Sequence, residues 1–268
     1  MSDSTVGSAI RLSRSRQTWT GAGSAAGFVL RYVAPMRWLL TEMTGSEASA
    51  DRALAILIQH LVKAGYGEHD QGRLRDFLIR GMRSAAKAQA LEKQEAESAD
   101  APADADRPET SEHESTGDLK LDVATLESPI WIRYWRESML QRSWRALERY
   151  QHAHRFQSSR VQEDSSEEGE PSSGDAARHD LVYDVLKVAM AHSGESAKVL
   201  SGRVAAVVGR QVSETELRSQ LADARSLFAQ FLADEVAGSL QDSDPKAIRE
   251  EIKTLGLAKA FSGLKVRA

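Results

Sequence analysis

The sequence predicts an all-α fold of two small helical modules joined by a disordered acidic linker, the second module containing a helix-turn-helix. Three observations lead there. Apolar residues recur at three- and four-residue spacing through the hydrophobic segments, which is the period of a helix and not of a strand. Two stretches lack that recurrence and consist largely of Glu, Asp, Ser, Ala and Pro. A length of 268 residues exceeds one ordinary domain of roughly 100–200 residues. With 41% hydrophobic and 28% charged residues the chain can build cores, while a mean hydropathy of -0.43 leaves some of it unable to offset the entropy of ordering.

The first module is expected over 10–90, with three helices between Gly27 and Ala90 separated by turns at Thr44-Gly45-Ser46 and Gly65-Tyr66-Gly67. Phe28, Tyr32, Met36 and Leu39/Leu40 mark the apolar stripe of the first helix, and Leu54, Leu57/Ile58 and Leu61 that of the second. Ser46 offers the second helix an N-cap. In the third, beginning near Gln71, Leu74, Phe77/Leu78 and Met82 take one side, and Arg73, Arg80, Arg83 and Lys87 mostly the others. A basic flank of this kind suits either solvent or an anionic partner.

Over 91–128 acidic residues far outnumber Lys93 and Arg107, and no apolar period survives, so a disordered linker is expected. The second module is expected over 129–256, with a disordered insertion at 158–176 around EDSSEEGEPSSGD. Its opening helix, Pro129 to His152, carries Trp131, Tyr134/Trp135, Met139, Leu140, Trp144 and Leu147 along one face, a spacing that reads as core. Helices are then expected at Asp180–His192, Ala197–Val208 and Ser213 to about Ser239, with Gly209 ending the middle one. A last helix follows Asp244-Pro245, where Asp caps and Pro fits the first turn, with Ile248, Ile252 and Leu255 on one face.

The absence of cysteine removes disulfides, thiolate metal sites and cysteine nucleophiles, and suits a cytoplasmic protein. Arg11, Arg14 and Arg16 follow a Ser-rich start without the apolar core of a signal peptide, and no apolar run is long enough for a bilayer, so no membrane partner is expected. His152, His154 and His179 are the only local histidine grouping and lack a His-Glu-x-x-His helix, so no metal or other cofactor is expected. No Gly-x-Ser-x-Gly motif occurs, and paired carboxylates are dense only in the acidic stretches, so the chain reads as a non-enzyme.

The stretch SAKVLSGRVAAVVGRQVSETELRSQLADARSLFAQFL sets a short helix, a Gly turn and a Ser-capped longer helix in sequence, the grammar of a helix-turn-helix and also of many ordinary bundles. Its spacing turns Thr215, Arg218, Ser219 and Ala222 outward and Leu217, Leu221 and Ala224 inward. Arg218 and Gln220 are candidates to read base edges or phosphates, and Lys198, Arg203 and Arg210 to hold the phosphate backbone.

These stretches together resemble the RNA polymerase sigma factors of the extracytoplasmic-function type, in a divergent, long-linker form. DQGRLRDFLIRGMRSAAKA resembles the turn and basic helix of the promoter −10 module, and FVLRYVAPMRWLLTEMTGSEASADRALAILIQHLV the two helices before it. IWIRYWRESMLQRSWRALERYQ resembles the opening helix of the −35 module, VSETELRSQLADARSLFAQFLADEV its recognition helix and tail, and DPKAIREEIKTL the extra C-terminal helix of one long subgroup.

The resemblance implies that Arg73, Arg75, Arg80, Arg83 and Lys87 lie near −10 DNA, and that Ser213, Glu214, Arg218 and Arg225 lie on the −35 reading helix. It also implies core RNA polymerase and promoter DNA as partners and an antagonist regulatory protein as a further one. Two features depart from the family. Asp51-Arg52-Ala53-Leu54-Ala55 stands where an acidic polymerase-docking patch is usual. The reading helix carries Ala222, Asp223, Ala224, Arg225 and Ser226 where consecutive cations are usual, which lowers the number of counterions DNA binding would release. A regulatory helical protein that kept the scaffold without promoter reading therefore stands as the alternative.

Overall fold

The computed structural model describes residues 10–11, 18–67, 71–99, 119–164, 180–242, 244–264 and 266–267, with the backbone alone at 11, 157–164 and 266–267. Among them the fold is all-helical apart from a two-residue parallel pairing of β1 (Ile10–Arg11) with β2 (Val266–Arg267) and an isolated antiparallel bridge between Arg73 and Leu240. The helices are α1 (Ala25–Val29), α2 (Val33–Thr44), α3 (Glu47–Ala64), α4 (Leu74–Ala99), α5 (Pro129–Asp164), α6 (Val182–Ala191), α7 (Ala197–Val208), α8 (Glu214–Gly238) and α9 (Pro245–Thr254). Two compact units divide the described residues: those of Ser15–Ser138 and Ala237–Ser243 form the first, and those of Met1–Arg14, Met139–Val236 and Asp244–Ala268 the second.

In the first unit the helix ends are set locally. Gly45 (φ 71°) turns the chain out of α2 while its N–H bonds the Thr41 carbonyl, and Ser46 Oγ then accepts from Ser49 N at 3.1 Å to cap α3. The single helix expected through Phe28 and Leu40 is instead broken by a 3-10 turn at Leu30–Tyr32. Restarting at Val33 puts Pro35 in the first turn of α2, where its missing N–H leaves no bond unmade. Met36, Leu39, Leu40 and Met43 of α2, Leu57 and Leu61 of α3, and Leu74, Leu78 and Met82 of α4 are buried. A Cβ on Gly81 would lie 2.9 Å from Leu57 Cδ1, so glycine is what lets α4 approach α3 this closely.

The acidic linker expected over 91–128 is corrected at both ends. Helix α4 continues through Ala99, because LEKQEAESA is built from strong helix formers and Glu92 pairs with Arg52 at 2.9 Å. Beyond it, Leu119–Ser128 is held by backbone and arginine contacts. Lys120 N donates to Met43 O at 2.9 Å, Arg83 Nη1 to both Leu121 O and Ala124 O at 3.0 Å, and Arg75 Nη1 to Leu126 O at 2.8 Å. The remainder of that linker, 100–118, lies outside the described residues.

The expected module boundary at 129 also moves. The first turns of α5 complete the first unit's core: Trp131 and Trp135 are fully buried, Trp131 Nε1 donates to Arg75 O at 3.2 Å, and Trp135 stacks on Tyr32 with ring centres 4.5 Å apart. The segment Ala237–Ser243 returns to the same unit, where Leu74 N bonds Ser239 O, Gln241 N bonds Gly72 O, and Gly72 N donates to Gln241 Oε1 at 2.7 Å.

In the second unit, Met139 and Leu147 of α5 are buried, and Trp144 meets Tyr183 edge-on and Phe228 at 5.1 Å. All three tryptophans of α5 are thus packing residues, as their spacing predicts. Gln151 Oε1 accepts from Tyr183 N and Asp184 N, which satisfies amide groups at the start of α6 that no helical carbonyl reaches. Gln151 Nε2 and Arg155 Nη2 both donate to Asp184 Oδ2. The insertion expected at 158–176 is shortened, since α5 runs to Asp164; 165–179 lies outside the described residues. Helix α9 follows expectation, with Asp244 capping it through Ala247 N and Ile248, Ile252 and Leu255 buried on one face.

Candidate nucleic-acid interface

Helices α7 and α8 form a capped pair. Ser196 caps α7, Gly209 (φ 73°) ends it with its N–H on Ala205 O, and Ser213 Oγ accepts from Glu216 N at 3.1 Å to start α8. Val212 and Leu217 of this turn join Leu181 and Val185 below and Leu200 and Val204 of α7 in one buried cluster, with Leu221 against its edge. Ala224 is buried next to Leu147 and Val182. With Leu217, Leu221 and Ala224 facing inward, Thr215, Arg218, Ser219, Ala222 and Arg225 are exposed along the opposite face of α8.

The charges on that face are largely matched. Arg218 Nη2 lies 3.0 Å from Glu214 Oε2, and Arg210 bridges Glu216 at 2.8 Å and Asp180 at 3.5 Å. Glu214 and Glu216 suit the positive end of the α8 dipole, and for the same reason they occupy the place where a phosphate would sit. On α7, Lys198 is exposed, whereas Arg203 is held by Glu195 through two bonds of 2.7 and 2.8 Å. The Arg203 guanidinium holds the Glu195 carboxyl below its ordinary pKa. Gln220 is corrected: at 4% exposure it faces the interior and not a groove. Its place three residues after Leu217 puts it on the packed side of the helix.

The basic residues of α4, with Arg73 just before it, separate into two groups. Arg75 is 1% exposed and spends its guanidinium on the Leu126 carbonyl, so its placement on a DNA-facing surface is corrected. Arg83 is committed to the carbonyls of Leu121 and Ala124, and Arg73 pairs with Asp76 at 2.7 Å and Glu127 at 3.4 Å. Arg80 and Lys87 are exposed and have no hydrogen-bond or ion-pair partner among the described residues. The residue type that suggested a DNA contact is therefore used in part to fasten the Leu119–Ser128 segment, a role with no periodic signal.

On α3, Asp51 and Glu47 are both held by Arg37, with Glu47 Oε2 at 2.8 Å, and the bond from Arg37 holds the Asp51 carboxyl below its ordinary pKa. The structure also contains a cavity of about 540 Å³ between α3 and α4, which the sequence did not announce. Its one visible trace was Gly81 in the middle of a helix. Among the described residues no three His, Cys, Asp or Glu side chains gather as metal ligands, and no helix is long and apolar enough to cross a membrane. His152 is exposed, His154 sits against the Tyr150 ring at 4.3 Å, and His179 lies outside the described residues.

No family model matches the chain, and neither the curated proteins nor the solved structures contain a match.

Proposed function

We propose that this chain is a sigma-like transcription initiation factor, which binds core RNA polymerase and recognises promoter DNA. The observation that carries the proposal is the α7–Gly209–Ser213–α8 pair, whose shared core leaves the first turns of α8 exposed. On this reading α8 enters the major groove of the −35 element. Arg218 and Arg225 meet base edges or phosphates, Ser213 and Glu214 stand at the helix start, and Lys198 and Arg210 contact the flanking backbone. In the first unit Arg80 and Lys87 are the cations that face −10 DNA. On this reading the polymerase contact does not rest on the acidic residues of α3, since Asp51 and Glu47 are both held by Arg37; an antagonist protein would compete for the polymerase-facing surface, and the site of action is the cytoplasm.

The test is capture of core RNA polymerase by the full chain followed by promoter-directed transcription, with Arg218→Glu and Arg80→Glu/Lys87→Glu as variants. Polymerase capture with transcription lost in both variants supports the proposal. No capture and no initiation by the wild type removes it.

A second reading, a sigma-like interaction or regulatory protein without promoter binding, is favoured by one specific observation: most of the candidate cations are already paired. Arg73, Arg75, Arg83, Arg203, Arg210 and Arg218 all have carboxylate or carbonyl partners. Each phosphate contact at those residues would have to displace a bond that exists in the free protein. Capture of polymerase or another regulator, with no promoter binding at low salt, selects this reading.

A further inference from the structure

We propose that the cavity between α3 and α4 is a binding site for a small amphipathic carboxylate, with its apolar body between the helices and its anionic head on Arg80. The cavity, about 540 Å³, falls within the roughly 300–1,000 Å³ of small-molecule sites. Its walls are apolar: Leu57 and Ile56 on α3, Phe77, Ala85 and Ala88 on α4. Gly81 is part of its lining, at a point where the helices approach closely: a Cβ there would meet Leu57 Cδ1 at 2.9 Å.

The polar groups on its lining are few and unused. Arg80, His60 and Ser84 have no hydrogen-bond or ion-pair partner among the described residues, in contrast to the engaged Arg75 and Arg83 of α4 and to Arg73 just before it. Tyr66 also lines the cavity, and its hydroxyl is buried without an acceptor. Burial pushes that hydroxyl up to about 12, so it remains a proton donor throughout the physiological range. Trp19 and Phe77 hold the Tyr66 ring edge-on, at 4.8 and 5.3 Å, which fixes its position.

A buried hydroxyl lacking an acceptor calls for an oxygen acceptor, an unpaired guanidinium on the same lining favours an anionic one, and the walls call for a hydrocarbon attached to it. A neutral apolar molecule would leave the donors unmet, and inorganic phosphate would leave the walls unfilled. The compact volume favours a small molecule over a polypeptide segment, which would need a groove continuing along the helices.

The experiment is calorimetric titration of the full chain with octanoate and, separately, with 1-octanol, in the absence of polymerase and DNA. Its outcome therefore stands apart from the transcription reading. Wild type is expected to bind octanoate saturably at one site. Arg80→Gln, on an exposed residue, should weaken octanoate at least tenfold while leaving 1-octanol unchanged, the loss expected for one charge-assisted contact. Ala88→Trp should abolish both by filling the space. The proposal is overturned if wild type shows no saturable octanoate binding, if Arg80→Gln binds octanoate as tightly as wild type, or if Ala88→Trp, folded by circular dichroism, still binds it. Binding of a peptide with an apolar residue at its free C-terminus, with none of octanoate, would also overturn it and assign the site to a protein partner.

Discussion

Replacing Arg75 with methionine distinguishes a core arginine from a DNA-contacting one. Methionine keeps most of the buried stem, so the change leaves little cavity, and Asp76 retains Arg73 at 2.7 Å as a counterion. What disappears is the guanidinium that donates to Leu126 O at 2.8 Å and stands 3.4 Å from Asp76 Oδ1, inside a site 1% exposed. Loss of this charge-assisted bond, and of the guanidinium beside the buried Asp76 Oδ1, costs about 2–4 kcal/mol. Because two units unfold in one chain, a single melting curve would mix them. Hydrogen exchange followed by mass spectrometry reads the first unit alone, from the amides of Phe77–Met82 and Trp135–Ser138. Their exchange should accelerate by about 30- to 1,000-fold, the kinetic equivalent of that free energy when opening is at equilibrium. Arg75→Lys should recover only part of the loss, since an ammonium cannot reproduce the planar fork. Unchanged exchange together with reduced DNA binding would refute the assignment of Arg75 to the core.

Other substitutions probe the remaining elements. Ser46→Ala removes the cap on Ser49 N and should destabilise the first unit by about 1 kcal/mol, measured by the same exchange, with Ser46→Asp close to wild type. Gly81→Val forces side-chain atoms against Leu57 and should cost about 1–3 kcal/mol while closing the cavity. Arg203→Gln should raise the Glu195 carboxyl toward its ordinary pKa, read by carboxyl NMR titration. The sign follows from linkage: a carboxyl with a depressed folded pKa adds stability above its unfolded pKa and loses it as pH falls through the folded value. Arg203→Gln should therefore flatten the acid limb of stability, and a steeper limb would contradict the pairing.

How much of this was legible depends on whether the determining contacts were local. The caps at Ser46 and Asp244, the glycine ends at Gly45 and Gly209, and the inward set Leu217, Leu221 and Ala224 follow from a few neighbouring residues, and the sequence predicts them. The segment Leu119–Ser128 could not be read that way, because its order comes from Arg75 and Arg83, which lie far back in the chain. The same cause hid Arg75 and Gln220. A helical arginine at a polar-looking position has no periodic mark that says its guanidinium will turn inward, and a glutamine between Leu217 and Leu221 carries no apolar mark that places it on the packed side. The overextended linker has a different cause, since net acidity was weighed above the helix propensity of Leu91–Ala99.

The bond from Gly72 to Gln241 joins residues 169 positions apart, and it belongs to the first unit. On a ribosome releasing about 5–20 residues each second, the amides of Gly72 and Leu74 are made many seconds before the carbonyls and side chain that satisfy them. The earlier unit therefore emerges with an open seam and cannot finish folding until Ser239 and Gln241 have been made. Fusion of a bulky partner near Gln241, or premature termination ahead of it, would leave that seam unsealed even with every residue of α1 to α4 intact.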